Sequence, residues 1–184
     1  MSATWVLLLR GVNVGTAKRV PMATLRSMLA DLGFTGVRTL LNSGNAVFDA
    51  SSDADPAGIA ASIEAELAAR LGVSTAAIVL PAQRLQAAAD EDPFTEVATD
   101  PSRLLVGFVG ALSDLGALTA LMDEDWSPDV FALGEHAAYL WCPHGVAASR
   151  LARALAGPRT GVVVTARNRT TVDKLIALAR EARG

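Results

Sequence analysis

Arg10-Gly11-Val12-Asn13-Val14-Gly15 sets a guanidinium and a carboxamide among glycines, and Asn42-Ser43-Gly44-Asn45 repeats that chemistry later in the chain. Near the far end, Thr165-Ala166-Arg167-Asn168-Arg169-Thr170-Thr171 adds two more guanidiniums. Glycine lets the backbone take positive φ and lets a ligand come close to main-chain N–H groups. Such groups, together with Arg10, Lys18 and Arg167, suit a phosphate or a carboxylate, because every partner is a donor and several are charged. The candidate ligand-binding residues are therefore Arg10, Gly11, Asn13, Lys18, Ser43, Gly44, Asn45, Arg167 and Asn168. In this reading Arg10 and Arg167 are the charged contacts, while the asparagines and Ser43 fix orientation. The competing reading is structural: Gly11 and Gly44 serve tight turns, Asn13 and Asn45 satisfy nearby backbone groups, and Arg167 pairs a buried carboxylate.

The elements that must position these residues follow from the apolar spacing. Trp5 to Leu9 is a short continuous apolar run, as in a strand buried on both faces. From Pro21 the spacing becomes helical, with Met22, Leu25, Leu29 and Leu32 on one stripe closed by Gly33. Residues 37–41 and 46–48 flank Asn42-Ser43-Gly44-Asn45 as a hairpin, Ile59, Ile63, Leu67 and Leu71 mark a second helix, and 77–80 is a strand followed by a short helix from Pro81 to Ala89. The order then repeats: strand 104–109, helix 115–122, hairpin 130–133 and 137–141, helix 149–156, strand 161–165 and a trailing helix 170–182 capped by Thr170 or Thr171.

This pattern predicts an α+β protein of two tandem ferredoxin-like βαββαβ units, each followed by a helix, with halves at 1–92 and 101–184 around a linker rich in Asp and Pro. In such a unit the first two strands run parallel with the third antiparallel between them. The loop after strand one and the turn between strands two and three then lie at one end of the sheet. The 10–20 loop is thereby expected beside Ser43-Gly44-Asn45, and the ligand is expected between the two halves.

Composition narrows the function classes. Hydrophobic residues make up 51% of the 184 and charged residues 19%, which is the balance of a folded protein. No apolar run has the length of a membrane span, no leader is evident and Cys142 is the single cysteine, so the expectation is a cytoplasmic protein with no membrane partner. A net charge of −3 argues against wholesale coating of nucleic acid. Its distribution is uneven: 10–38 carries +4 and 150–174 carries +5, leaving −12 for the rest, so positive charge gathers around the polar clusters.

Other chemistries find less support. The eight residues from Gly11 do not match a P-loop, and that loop holds no dinucleotide fingerprint, so no cofactor is expected. With His136 and His144 the only histidines, no metal site is expected either. Asp90-Glu91-Asp92 and Asp123-Glu124-Asp125 read as solvated loops, because neither has the glycine turns of a cation loop. Tyr139 and Trp141 share one strand face, where stacking on bases competes with burial against the other half. Asp and Glu are absent from the glycine clusters and neither histidine is near in sequence, so no general base is evident there.

Two stretches resemble a known family. Leu8 to Gly15, Val20-Pro21-Met22-Ala23 with Leu25-Arg26, Leu32-Gly33-Phe34, Val37-Arg38-Thr39, Ser43-Gly44-Asn45 and Val47-Phe48 resemble the N-terminal signature of the bacterial family catalogued as domain of unknown function 1697. Thr165-Ala166-Arg167-Asn168 with Thr171-Val172 and Lys174-Leu175 resembles its C-terminal signature. The resemblance implies a compact α+β protein with ferredoxin-like repeats, no established activity, and no proven role for any motif residue. Relative to that pattern, Arg169 stands where a tryptophan is usual and Asn42 where a glutamine is usual. The leading expectation is a protein that binds a small anionic ligand. Nucleic-acid binding and an enzyme acting on a nucleotide or sugar phosphate are the alternatives, and no oligomeric state is implied.

Overall fold

The computed structural model describes residues 1–181. The chain forms a mixed α+β fold with two four-stranded antiparallel sheets and divides into two units, Met1–Gln83 with the segment from Lys174 on, and Arg84–Asp173. The division falls at Gln83, ahead of the acidic stretch from which a boundary was expected.

In the first unit, strands β1 (Ser2–Leu9), β2 (Thr35–Leu40), β3 (Asn45–Ser51) and β4 (Ala77–Pro81) lie in the order β2-β3-β1-β4. β1 is central, antiparallel to β3 through Leu8↔Asn45 and to β4 through Leu7↔Val79. That position explains its unbroken apolar run, buried from Thr4 to Leu9. Helix α1 (Met22–Asp31) buries Leu25, Met28 and Leu29, and α2 (Pro56–Leu71) buries Ile59, Ile63 and Leu67. With Leu7, Leu9, Phe48 and Val79 these side chains form one core. Asp55 caps α2 by accepting from the N–H groups of Ala57 and Gly58, at 3.1 and 2.9 Å.

In the second unit, β5 (Leu104–Phe108), β6 (Val130–Leu133), β7 (Ala138–Trp141) and β8 (Thr165–Asn168) take the corresponding order β6-β7-β5-β8. Helix α3 (Ala82–Asp90) follows β4, and α4 (Arg150–Ala156) is capped by Ser149. Helix α5 (Arg169–Glu181) follows β8; Ala182, where the trailing helix was expected to end, lies outside the described residues.

Three expectations are corrected. The helix expected at 115–122 is a 3-10 helix, Leu112–Asp123, whose buried Leu115, Leu118 and Leu121 recur at the spacing of three that this tighter coil stacks. The strand expected at 161–165 lies at Thr165–Asn168. Gly161, at φ 70°, ends a 3-10 turn, and β5 pairs instead with the polar segment through Val106↔Arg167. The cap of α5 is Asn168, whose Oδ1 accepts from the N–H of Thr171 at 2.9 Å, leaving Thr170 and Thr171 inside the helix.

Candidate functional site

The loop after β1 and the β2–β3 turn meet at one end of the first sheet. The N–H of Leu9 donates to the carbonyl of Gly44 at 2.8 Å, and that of Arg10 to Ala76 at 2.9 Å, so the loop starts with its backbone held on both sides. The carbonyl of Arg10 accepts from the Thr75 hydroxyl at 2.5 Å. Asn13 then ties the two segments. Its Nδ2 donates to the carbonyls of Val20 at 2.8 Å and Asn42 at 2.6 Å, and its Oδ1 accepts from the N–H of Val20 at 2.8 Å. Both amide hydrogens are spent, so Asn13 shapes the loop and has no donor to spare. Asn45, buried, likewise donates to the Leu40 carbonyl at 3.0 Å and to Ser43 Oγ at 2.8 Å.

The backbone here is unusual. All three non-glycine residues at positive φ among the described residues lie in these two segments: Asn13 at 57°, Lys18 at 51° and Leu41 at 55°. Gly11 at 61° and Gly15 at 64° join them, so φ alternates in sign from Gly11 through Val12, Asn13 and Val14 to Gly15. Alternation of this kind curls N–H groups toward one side, as in the concave nests that hold anions, although the Asn13 N–H at its centre is donated to the Lys18 carbonyl at 3.0 Å. Gly44, at 78°, has another reason for lacking a side chain: a Cβ there would stand 2.6 Å from Val12 Cγ2 and 2.7 Å from Leu9 Cβ.

Beside this curl is a cavity of about 330 Å³ lined by Asn13, Gly15, Arg19, Val20, Pro21 and Asn42. Pro21, on the lining, precedes α1, whose N-terminus has no side-chain cap. Arg19, exposed, is the cation on the lining. Of the residues expected at a site, Asn13 lines this cavity. Gly11, Lys18, Ser43, Gly44 and Asn45 belong to the same two segments without lining it, and Arg10 is their half-buried root. Arg19 and Asn42 line the cavity without having been expected at a site, although the signal was present: Arg19 belongs to the basic stretch and Asn42 to the turn.

Arg167 and Asn168 belong to β8 of the second unit. Arg167 is buried, and its Nη1 donates to Thr165 Oγ1 at 3.0 Å and to the Ala166 carbonyl at 2.9 Å. Burial pulls its guanidinium down to about 10. Arg169 is not a solvated arginine. Its Nη1 meets Asp92 Oδ2 at 2.5 Å and its Nε meets Asp173 Oδ1 at 2.9 Å.

The acidic stretch expected in solvent also proves to be engaged. The Asp92 side chain is fully buried, and Glu91 reaches the β6–β7 turn. Glu91 Oε1 accepts from the N–H of His136 at 2.8 Å and from the Tyr139 hydroxyl at 2.7 Å; its Oε2 lies 3.0 Å from His136 Nδ1 and accepts from the N–H of Glu135 at 3.2 Å. Burial raises the Glu91 carboxyl, but the bonds from Tyr139 and His136 outweigh it and hold the group below its ordinary value. Tyr139, fully buried with its hydroxyl on Glu91 and on the Ala88 carbonyl, offers no face to a nucleobase. Sequence alone could not assemble Glu91, His136 and Tyr139, because no spacing rule connects the end of one helix to a hairpin over forty residues on.

The family model described as Protein of unknown function (DUF1697) matches residues 2–139. The chain belongs to this family. Within DUF1697, the matched stretch contains both glycine segments and the whole Glu91, His136 and Tyr139 group, and it stops short of Thr165. The solved structure of conserved bacterial protein SP0830 from Streptococcus pneumoniae is similar over 97% of this chain and 99% of that one, with 24% identity and a TM-score of 0.77. At that identity the likeness is one of fold. No curated protein matches the chain. Among the described residues, no helix is long and apolar enough to cross a membrane, and no group of three or more His, Cys, Asp or Glu side chains is placed to hold a metal ion.

Proposed function

We propose that this DUF1697 protein binds a small phosphate- or carboxylate-bearing ligand at the loop end of its first sheet. The observation that carries the reading is the alternating φ from Gly11 to Gly15, next to a cavity that also takes in Arg19 and the uncapped start of α1. The curled N–H groups other than that of Asn13, a helix N-terminus nearby and a guanidinium all favour negative charge, and no carboxylate lines the cavity among the described residues. Asn13, Ser43 and Asn45 serve the ligand indirectly in this reading, by holding the loops in a backbone shape that few side chains tolerate. The two sheets, which share one strand order, we read as two tandem ferredoxin-like units, so that the ligand takes the open end of the first.

Thermal unfolding in the presence of inorganic phosphate, citrate and glucose 6-phosphate, at low and high sodium chloride, tests the binding. A ligand at a hundredfold its Kd stabilises the folded state by about 2.7 kcal/mol, roughly 5–11 °C for a chain of this size. The expected result is a shift from at least one of the three that persists at high salt and is lost in Arg19→Ala. No shift from any of them, or a shift that survives Arg19→Ala, overturns the reading. Stabilisation by an oligonucleotide alone, falling steeply with salt, would favour nucleic acid instead.

A further inference from the structure

We propose a second binding site, in the second unit, where His136 Nε2 receives a hydrogen bond from a small organic ammonium ion. The starting point is how completely His136 is held. Its N–H donates to Glu91 Oε1 at 2.8 Å, and its carbonyl accepts from Arg84 Nε at 3.3 Å and Nη2 at 3.2 Å. Its Nδ1 lies 3.0 Å from Glu91 Oε2. Three of its four polar atoms are thus fixed, and among the described residues Nε2 alone has no partner. A ring nitrogen facing a carboxylate carries a proton, which fixes the tautomer of a neutral imidazole so that Nε2 is its acceptor.

The groups behind His136 are themselves rigid. Arg84 is buried, and its Nη1 also donates to the Gly110 carbonyl at 2.8 Å. Glu91 is pinned by the hydroxyl of the fully buried Tyr139 and passes beneath Gly134, where a Cβ would collide with Glu91 Oε1 and approach Tyr139 Cε2 to 2.9 Å. Such support fixes the direction of the imidazole, which a solvated turn residue would not need.

His136 lines a cleft of about 710 Å³, within the range of small-molecule sites. Its charged lining is Asp90, Glu91 and Glu135, and no lysine or arginine lines it among the described residues. Arg84 is held on carbonyl groups and Arg169 on Asp92 and Asp173, and neither guanidinium is on the cleft lining. The cleft therefore presents acceptors and negative charge: an anion would be repelled, and a neutral alcohol would gain one hydrogen bond without the Coulomb attraction. An ammonium ion satisfies Nε2 and the carboxylates together. Ala87, Pro93 and Leu133 supply apolar surface for its carbon skeleton.

The test is NMR of histidine-labelled protein at about pH 8, where an alkylamine remains protonated. The probes are cyclohexylammonium, cyclohexanol and cyclohexanecarboxylate, which share one skeleton and differ in charge. The expected result is saturable movement of the His136 Nε2 and Cε1 signals with cyclohexylammonium, His144 unmoved, cyclohexanol at least tenfold weaker and the carboxylate silent. Glu135→Gln, at an exposed position that leaves the His136 contacts intact, should weaken cyclohexylammonium several-fold. Stationary His136 signals, equal binding of cyclohexanol, or indifference to Glu135→Gln each overturns the proposal.

Discussion

Gly44→Ala and Gly15→Ala place the same methyl group at two left-handed positions in very different surroundings. Gly44 has φ 78° and Gly15 has φ 64°, so each variant incurs the left-handed penalty of an L-residue, about 1–2 kcal/mol. At Gly15 nothing lies within 4 Å of the new Cβ, and that penalty is the whole cost. At Gly44 the methyl would stand 2.6 Å from Val12 Cγ2 and 2.7 Å from Leu9 Cβ, both in the core. The Leu9 Cβ is bound directly to a central strand and cannot swing aside, so overpacking adds about 1–3 kcal/mol. The Leu9 N–H bond to Gly44, at 2.8 Å, is strained by the same displacement. Gly44→Ala should therefore lose about 2–5 kcal/mol, and Gly15→Ala about 1–2 kcal/mol. Calorimetric unfolding reads the difference, since each kcal/mol is worth about 2–4 °C in a chain of this length. Equal losses in the two variants, or a loss under about 1 kcal/mol for Gly44→Ala, would refute the argument that close approach to Leu9 and Val12 demands glycine there.

Three further outcomes follow from contacts described above. Asp92→Ala leaves Arg169 without its buried partner and removes the acceptor of the Phe94 N–H at 2.9 Å, so urea unfolding should show a loss of about 3–5 kcal/mol. Asp55→Ala removes the cap of α2 and should cost about 1 kcal/mol by the same measurement. Glu91 is held below its ordinary value of 4.5, so its contribution is fully present above that pH and disappears as pH falls through the lower folded-state value. Glu91→Gln should flatten the fall of melting temperature with acid below about pH 4.5, and an unchanged slope would contradict the assignment.

The parts of the fold written in periodic apolar spacing were legible from sequence, and those written in backbone geometry were not. β1, α1, α2 and both hairpins stand near their expected places because each buries a face that repeats at the period of its element. The Val162-Val163-Val164 run reads as a strand, yet Val163 is exposed and pairing with β5 goes to Thr165–Asn168, a choice made by main-chain hydrogen bonding. The meeting of the 10–20 loop with the β2–β3 turn follows from topology and was expected, and the structural reading had Asn13 satisfying nearby backbone groups; that its partners are Val20 and Asn42 was not legible, since they depend on φ values no composition specifies. Asp92 looked solvated because three adjacent acids usually are, and its burial rests on Arg169, seventy-seven residues away.

The chain leaves its first unit at Gln83 and returns to it at Lys174. During synthesis the second unit's residues therefore emerge as one unbroken stretch, whereas the first unit must wait for a segment made after its neighbour is complete. Until then Arg38 lacks Glu181, its ion-pair partner at 3.6 Å. A nascent chain stalled before Lys174 would hold every residue of the proposed anion site, all four strands of its sheet and the buried core beneath them, and would lack only the closing segment. The order of translation thus supplies the first unit's core early and its closing segment last, with α5 running across the boundary between the two.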